Sequence, residues 1–207
     1  MNSLRPSKIV CIGRNYAAHA AELGNDVPDE PLIFLKPPSA LLEDGAPIVM
    51  PAGAGRVDFE GEIGIVIGRR ARRVSADEAW AYVKGLVPLN DVTARDLQRT
   101  DGQWTRAKGF DTFCPVGRMA ALSDVDPSAL TLTTRVNGQV RQAAPVSDMV
   151  FPIPRLIEHV SGVMTLEPGD LIATGTPEGI GPLAPGDVVE VEVAGVGSVT
   201  NPVVAEG

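Results

Sequence analysis

The sequence predicts one β-rich α+β domain, as its composition and its patterning both indicate. Glycine and proline are abundant, at 22 and 18 of 207 residues, whereas aromatic residues make up only 4%. Short apolar runs recur throughout and are separated by turn residues, which is typical of many short strands with few long helices. No shift in composition marks a domain boundary, so we expect a single domain over residues 1–207.

The first elements in chain order are a buried strand at 8–12, a short helix at 16–23 and a short strand at 32–35. Asn15 is positioned to cap the helix, since asparagine is a preferred N-cap residue. Residues 47–55 are rich in proline and glycine, and this pattern predicts a loop.

The next strand, at 58–68, carries two glutamates in an otherwise apolar, glycine-rich sequence. Alternate residues of a strand face opposite sides, so Glu60 and Glu62 share one face while Phe59 and Ile63 share the other. Two carboxylates on one face repel each other, and either water or a cation must offset the repulsion. Solvated acids are the better interpretation of an isolated Glu-x-Glu. Here the apolar strand favours burial, and the neighbouring glycines leave room for a ligand.

Asp91 follows the next predicted strand, at 86–89. A capping box at 75–78 predicts a helix through about Lys84 before that strand, and a second helix is expected over 93–98. Taken alone, Asp91 is most simply the N-cap of this second helix. Taken with the two glutamates of the acidic strand, it supplies a third acidic oxygen for a hard-cation site.

Four further side chains are candidates for chemistry. His19 and Glu22 are spaced i, i+3 on one helix face, either as a surface ion pair or as a general base oriented by a carboxylate. Lys108 lies in a polar loop predicted at 100–113, where it is either exposed or buried against an anionic partner. Lys36 ends a strand, and we expect it at the surface rather than at an anion.

The second half of the chain contains two predicted hairpins and one helix. Asn137-Gly138 is the strongest hairpin signal and lies within residues 130–142. A helix is expected over 152–160, and a closing hairpin over 188–204. Between them, the glycine-rich stretch 173–181 lacks the Gly-Lys-Ser/Thr ending of a phosphate-binding P-loop. Its backbone N–H groups and threonine hydroxyls are nevertheless suited to a carboxylate.

Charge and composition exclude several classes of function. The formal net charge is −8, and nucleic acids are bound through clustered basic residues, so no nucleic-acid partner is expected. Two cysteines do not make a disulfide framework. The N-terminus lacks the apolar core of a signal peptide, and no run approaches the ~20 apolar residues that span a bilayer. A cytoplasmic protein without a membrane partner is therefore expected.

Six motifs occur in order along the chain, at residues 13–19, 34–37, 58–62, 91–96, 107–111 and 174–179. Each is weak alone, but together they resemble the fumarylacetoacetate hydrolase family. The chain is most similar to its small single-domain group, which includes the acylpyruvases. The resemblance covers residues 9–203. The N-terminal extension of the larger fumarylacetoacetases is not seen, so fumarylacetoacetate itself is a less expected substrate.

The resemblance implies a mixed β-sandwich roll with peripheral helices, usually dimeric. It implies that Mg²⁺ or Mn²⁺ is bound by Glu60, Glu62 and Asp91. It also implies that His19 and Glu22 activate water and that Lys108 lies in the active site. The residues expected to contact the substrate are Arg14, Gln98, Gly175 and Thr176.

The expected reaction is hydrolysis of a C–C bond in acylpyruvate-type 2-oxo acids, through a metal-stabilised pyruvate enolate. Two alternatives use the same enolate: decarboxylation of oxaloacetate-like diacids and isomerisation of 2-hydroxyhepta-2,4-diene-1,7-dioate. A β-rich binding module with solvated acids is a non-enzymatic alternative. A two-carboxylate glycosidase is disfavoured, because Glu60 and Glu62 on one strand face leave no room for a sugar between them.

Overall fold

The structure is a computed structural model that describes residues 4–207, and within this range it is β-rich with few, short helices. The strands form three sheets in the described residues. The predicted α+β class is therefore confirmed. None of the helices in this range has the length and apolar character needed to cross a membrane.

The helices and strands of residues 4–207 are, in chain order, β1 (Ile9–Gly13), α1 (Ala17–Glu22), β2 (Leu32–Lys36), β3 (Leu41–Glu43), β4 (Ile48–Met50), β5 (Val57–Phe59), β6 (Gly61–Ile67), β7 (Val83–Asn90), β8 (Thr93–Ala94), α2 (Arg95–Thr100), α3 (Thr105–Lys108), β9 (Cys114–Val116), β10 (Ala120–Ala121), β11 (Thr131–Val136), β12 (Gln139–Pro145), α4 (Ile153–Val163), β13 (Leu171–Ala173), β14 (Gly181–Pro182), β15 (Val188–Val193) and β16 (Gly197–Ala205). Short 3₁₀ helices lie at Pro38–Ala40, Ala76–Tyr82, Leu122–Asp124 and Val146–Asp148.

The largest sheet is built around β6. Its strand order is β2-β1-β13-β6-β7-β9-β3, and β10 also pairs with β7. Both neighbours of β6 are antiparallel to it. Every residue of β6 is buried, because Ile63 and Ile65 pack into one hydrophobic cluster and Val66 packs into another on the opposite face. Burial on both faces explains the continuous apolar run in the sequence.

The second sheet contains both predicted hairpins. Its order is β12-β11-β15-β16-β4, and a three-stranded sheet has the order β14-β5-β8. Asn137 and Gly138, between β11 and β12, have φ of 53° and 77°. Two successive residues with positive φ define the type I′ turn that Asn-Gly favours, so this hairpin prediction is confirmed. The closing hairpin is formed by β15 and β16.

The main hydrophobic core joins the two large sheets to α4. It contains Ile65 of β6, Leu132 of β11 and Val191 of β15, together with Leu156 and Ile157 of α4. The helix predicted at 152–160 is thus confirmed, with its apolar face buried as expected. It extends three residues further, to the end of α4.

The helix predicted to run from the 75–78 capping box to Lys84 is wrong. Ser75 Oγ donates to the Glu78 side chain at 3.0 Å and does not cap the backbone, and the segment is a 3₁₀ helix ending at Tyr82. Val83 already pairs with Ile67 of β6, so strand pairing competes with helix extension at this point.

Three shorter predictions also need correction. The loop expected at 47–55 contains β4, which pairs with β16 and gains its backbone hydrogen bonds there. The loop expected at 100–113 contains α3. The helix expected from residue 93 begins at Arg95, because Thr93 and Ala94 pair with β5 as β8.

Candidate active site

Three buried carboxylates meet at one end of the β6–β7 pair. Glu60 lies between β5 and β6, Glu62 lies on β6, and Asp91 directly follows β7. Gly61 pairs with Asn90, and the Asp91 N–H donates to the Glu60 carbonyl at 2.8 Å, so the strand register itself brings the acids together. One carboxylate oxygen from each acid lies within 4.8 Å of the others. Asp91 is therefore part of this cluster and does not cap α2, whose N-cap is Ala94.

Lys108 and Lys36 bring two ammonium groups into the cluster. Lys108 Nζ donates to Glu60 Oε2 at 2.8 Å and to Asp91 Oδ2 at 2.6 Å. Lys36 Nζ donates to Asp91 Oδ1 at 2.6 Å and to the Val92 carbonyl at 3.1 Å. Both lysines are buried, and the interpretation of Lys108 as a buried ammonium with an anionic partner is correct.

The surface position expected for Lys36 is wrong. Side chains alternate along β2, and Leu35 is 44% exposed, so Lys36 points inward. A buried ammonium requires an anionic partner, and Asp91 provides it.

Three residues to which the sequence interpretation gave no role, Asp58, Arg95 and Arg56, complete the charge network. Asp58 is fully buried and accepts hydrogen bonds from Arg95 Nε at 3.0 Å and Arg56 Nε at 2.7 Å. Arg95 also pairs with Glu60 and donates to the Gln98 side chain. The Asp-x-Glu-x-Glu alternation at 58–62 was an available signal, since it repeats an acid at every second position.

Glu60 and Glu62 differ sharply in electrostatic environment. Burial opposes ionisation of Glu60, but the positive charges of Lys108 and Arg95 outweigh it and lower its pKa far below the usual range. Burial raises the pKa of Glu62 well above its usual value, and the negative charges of Asp91 and Glu60 raise it further. The one hydrogen-bond donor to Glu62 among residues 4–207 is the Gly175 N–H, at 2.8 Å. Glu62 is thus a buried carboxylate without a hydrogen-bonded cation.

This imbalance fits a divalent metal ion. Carboxylate oxygens are the ligands that Mg²⁺ prefers and that suit Mn²⁺, and a dication offsets the charge of Glu62 that the lysines leave uncompensated. The three acids expected to bind metal are the ones brought together in the structure. Their ligation of Mg²⁺ or Mn²⁺ stays a prediction.

The His19–Glu22 pair lies close to the acids. His19 Nδ1 is 3.3 Å from Glu22 Oε2, and the two side chains are 6% and 34% exposed. The Gly179 N–H donates to the Glu22 carboxylate at 3.2 Å, which anchors the pair to the loop before β14. Burial of His19 does not fit a surface ion pair. With Nδ1 directed to Glu22, Nε2 is left for proton exchange.

The His19–Glu22 pair and the three acids line one cavity of about 460 Å³. Of the residues predicted to act on or contact the substrate, those that line it are Arg14, His19, Glu22, Gln98, Lys108 and Thr176. Glu60, Glu62 and Asp91 line the same cavity. The helix, strand and loop positions of these residues span most of the chain, so the cavity exists only in the folded protein.

Gly175 and Asn15 hold one wall of the site. Gly175 has φ of +97°, and a Cβ there would lie 2.7 Å from the Asn15 Cβ, so only glycine fits. The prediction that Asn15 caps α1 is wrong. Its side chain instead donates to the carbonyls of Thr174 and Phe151. Gly175 gives its N–H to Glu62, and its predicted contact with substrate stays a prediction.

Comparison with known proteins identifies relatives over nearly the whole chain. The family described as Fumarylacetoacetate (FAA) hydrolase C-terminal matches residues 8–204. An oxaloacetate tautomerase FAHD1, mitochondrial, of Arabidopsis thaliana is 46% identical over 93% of this chain and 89% of its own.

Two solved structures extend the comparison. 5-Carboxymethyl-2-hydroxymuconate delta-isomerase from Mycobacterium smegmatis is 52% identical with a TM-score of 0.91, covering 99% of this chain and 81% of that one. Fumarylpyruvate hydrolase from Pseudomonas aeruginosa, in complex with Mn²⁺ and pyruvate, is 30% identical with a TM-score of 0.89, covering 96% and 90%. The solved structures similar to this chain thus include proteins named for isomerisation and for hydrolysis, and its relatives in sequence include one named for tautomerisation.

Proposed function

The chain belongs to the fumarylacetoacetate hydrolase family, and we propose that within it the protein is a Mg²⁺- or Mn²⁺-dependent hydrolase that cleaves a C–C bond of acylpyruvate-type 2-oxo acids. The observation that carries the proposal is the His19–Glu22 pair, in which the histidine is buried and which lines the same cavity as the three acids and Lys108. A base held beside an acidic cation site matches the needs of this reaction.

In the proposed complex, the anionic end of the substrate lies near the three acids and Lys108. A divalent ion held by Glu60, Glu62 and Asp91 would supply Lewis acidity toward the oxygens of the 2-oxo acid. Lys108 has three N–H donors and gives two of them to Glu60 and Asp91, so one remains for a substrate oxygen.

Hydrolysis then uses the dyad. Nε2 of His19 takes a proton from water, and Glu22 stabilises the imidazolium that forms. The hydroxide adds to the distal acyl carbonyl, and the bond between the acyl carbon and C3 breaks. Its electrons pass to the C2 oxygen, which gives the enolate of pyruvate and a free carboxylic acid. The Lys108 ammonium stabilises the negative charge of this enolate. The proton held by His19 is then delivered to C3, which gives pyruvate.

A second candidate is keto–enol tautomerisation, isomerisation or decarboxylation of 2-oxo diacids such as oxaloacetate. The similarity to the Arabidopsis tautomerase at 46% identity and to the M. smegmatis isomerase at 52% favours it. In tautomerisation His19 would take the proton from C3 of the keto form and deliver it to the C2 oxygen of the enolate, which gives the enol. The same dyad and the same three acids would serve both candidates. In hydrolysis the base takes its proton from the attacking water, in tautomerisation it takes the proton from C3, and in decarboxylation loss of CO₂ forms the enolate without a base.

Product analysis separates the two candidates. The purified protein is incubated with acylpyruvates, oxaloacetate and 2-hydroxyhepta-2,4-diene-1,7-dioate, each with Mg²⁺, Mn²⁺ or a chelator. Release of pyruvate and a free acid from acylpyruvates, lost with chelator, supports the hydrolase. Turnover of oxaloacetate or the dienedioate without acylpyruvate cleavage would select the second candidate. Absence of bound divalent metal and of all turnover would leave the non-enzymatic binding module.

The proposal includes a cytoplasmic homodimer that binds neither nucleic acid nor membrane. Leu35 of β2, which is 44% exposed, supports an interface at this end of the largest sheet.

A further inference from the structure

One buried amide joins the acidic strand to the loop that carries Thr176. Gln142, on β12, is 2% exposed. Its Oε1 accepts the Gly61 N–H at 3.0 Å. Its Nε2 donates to Thr176 Oγ1 at 2.8 Å and to the Pro177 carbonyl at 2.8 Å. The sequence interpretation gave Gln142 no role.

These partners fix which way the amide points. Gly61 N–H is only a donor and the Pro177 carbonyl is only an acceptor, so Oε1 must face Gly61 and Nε2 must face Pro177 and Thr176. The reversed amide would oppose two donors on one side and two acceptors on the other. No other orientation satisfies this buried group.

The orientation decides how the Thr176 hydroxyl is used. A threonine hydroxyl has one proton to donate and lone pairs to accept. Because Thr176 Oγ1 accepts from Gln142, its proton is directed elsewhere, and no acceptor for it is found among residues 4–207. Thr176 lines the cavity beside His19 and the acids. The free direction for its proton is therefore the space that the substrate fills.

We infer that Gln142 is a positioning residue whose side-chain amide makes Thr176 a hydrogen-bond donor to a carboxylate or keto oxygen of the bound 2-oxo acid. The inference rests on the proposed function, because it needs an anionic substrate in this cavity. Gln142 acts through Thr176 and does not itself line the cavity among the residues described.

The backbone around Gln142 leaves little freedom for adjustment. A Cβ on Gly61 would lie 2.0 Å from Thr134 Oγ1 and 3.2 Å from Gln142 Oε1, so the strand between the two glutamates approaches the amide closely. A Cβ on Gly179 would lie 2.1 Å from the Arg141 carbonyl, which brings the 174–179 loop against the same strand, β12. Gln142 is thus held on both sides.

A double-mutant cycle tests the inference. Binding of oxalate, a small anion resembling a 2-oxo acid, is measured by calorimetry with Mg²⁺ present for the wild type, Gln142→Met, Thr176→Val and the double variant. We expect each single variant to weaken oxalate by about 10- to 100-fold, the range for a hydrogen bond to a charged group. With Mg²⁺ saturating for every variant, the double variant should bind no more weakly than Thr176→Val, because the second contact of Gln142, with the Gly61 N–H, then affects only the metal site.

Two further variants separate hydrogen-bond direction from packing. Gln142→Glu keeps the shape and the acceptor for Gly61, but its carboxylate takes the Thr176 proton, so we expect a loss at least as large as for Gln142→Met. In the Thr176→Val background there is no hydroxyl proton to redirect, so the part of the affinity loss that comes from this redirection should be absent. Gln139→Met, at an exposed position of the same strand, should leave oxalate affinity unchanged.

The outcomes are distinct. Equal oxalate affinity in Gln142→Met and wild type, or additive losses in the double variant, would overturn the role of Gln142 and leave the proposed function standing. If the wild type with Mg²⁺ did not bind oxalate at all, the proposed function would fall, and the inference with it. Should Gln142→Met not fold, the Gln142→Glu cycle gives the same decision.

Discussion

The Glu62 carboxylate accepts a hydrogen bond from the backbone N–H of Gly175 at 2.8 Å, across 113 positions of sequence. This bond ties the acidic strand to the loop that carries Thr176. Within residues 4–207 this N–H is the single donor to Glu62, and it is neutral, while Glu60 and Asp91 are paired with cations. The predictions below follow from this contrast and from the contacts around it.

Substitution at Glu62 and at Glu60 should have opposite effects on stability. Glu62→Gln removes a carboxyl group whose ionisation is opposed by burial and by Asp91 and Glu60, and it keeps an oxygen for the Gly175 N–H, so the metal-free protein should gain about 1–3 kcal/mol. Glu60→Gln removes one of the two carboxylates that pair with Lys108 and one of the two that pair with Arg95, and it should cost about 1.5–3 kcal/mol. Thermal unfolding with chelator measures both. Calorimetry should show that either change abolishes tight Mg²⁺ binding. Destabilisation of similar size in both variants would contradict the contrast.

Gly175→Ala should weaken metal binding through the displaced Glu62. The added Cβ meets Asn15 at 2.7 Å and forces a side chain into a φ of +97°, so the Gly175 N–H must move. Gly186→Ala is the matched control, because its φ is +96° but its Cβ meets nothing within 4 Å. Both variants should lose about 1 kcal/mol or more of stability from backbone strain. Only Gly175→Ala should lower Mg²⁺ affinity in calorimetry, and an equal loss in both would argue against the displacement.

Removal of the imidazole should separate catalysis from metal binding. His19→Ala is expected to lower kcat by ~10²–10⁴-fold on whichever substrate the enzyme turns over, because a general base contributes this much. Mg²⁺ affinity should be unchanged, since His19 is not among the three acids. His159→Ala, on α4, is the histidine control and should keep wild-type kcat. Near-normal kcat in His19→Ala would remove the dyad from the mechanism.

Acid stability should depend on Asp170. This buried carboxylate accepts hydrogen bonds from the Ser7 and Glu167 N–H groups at 2.8 Å each, and Lys8 Nζ lies 2.5 Å away. Burial opposes ionisation, but the hydrogen bonds from Lys8, Glu167 and Ser7 outweigh it and lower the pKa of Asp170.

Because the folded-state pKa is depressed, the stabilisation is present above the unfolded-state value of about 3.9 and is lost as pH falls through the folded-state value. Asp170→Asn should therefore cost about 1–3 kcal/mol at pH 7. The unfolding free energies of variant and wild type should converge in strong acid. Asp187→Asn changes the similar Pro-Gly-Asp turn, where Asp187 is bonded to Ala184 and Asn137, and should cost less. If the unfolding free energies of Asp170→Asn and wild type differed by the same amount at pH 7 and in acid, the stabilisation would not depend on ionisation of Asp170.

The homodimer should depend on Leu35 of β2. This strand ends the largest sheet, and Leu35 is 44% exposed. We expect sedimentation at twice the 21.7 kDa of one chain, and dissociation on Leu35→Lys, since burying an unpaired ammonium in an apolar interface is costly. Val140→Lys, at a residue 58% exposed on β12, should leave the mass unchanged. A monomeric wild type would refute the dimer.

Local signals predicted much of the fold. The Asn137-Gly138 turn and the apolar face of α4 each depend on neighbours in sequence, and each is confirmed. The single strand predicted at 58–68 is confirmed only in its second part, since it is divided at Glu60 into β5 and β6, which belong to different sheets. The helix at 75–84 and the loop at 47–55 were wrong because strand partners from distant sequence, β6 and β16, decided their structure. Pairing of this kind is invisible to capping and turn preferences.

The candidate site divides in the same way. The sequence by itself determined the chemical groups: two glutamates at alternate positions, a later aspartate, and a histidine three residues before a glutamate. Only the tertiary structure decided their charge states and partners. The register between β6 and β7 places Asp91 beside Glu60. Lys36 points into the protein and contacts Asp91, and Gln142 fixes the direction of the Thr176 hydroxyl. These contacts join residues dozens of positions apart, and the energy of a buried charge or amide depends on the partners that folding brings within hydrogen-bonding distance.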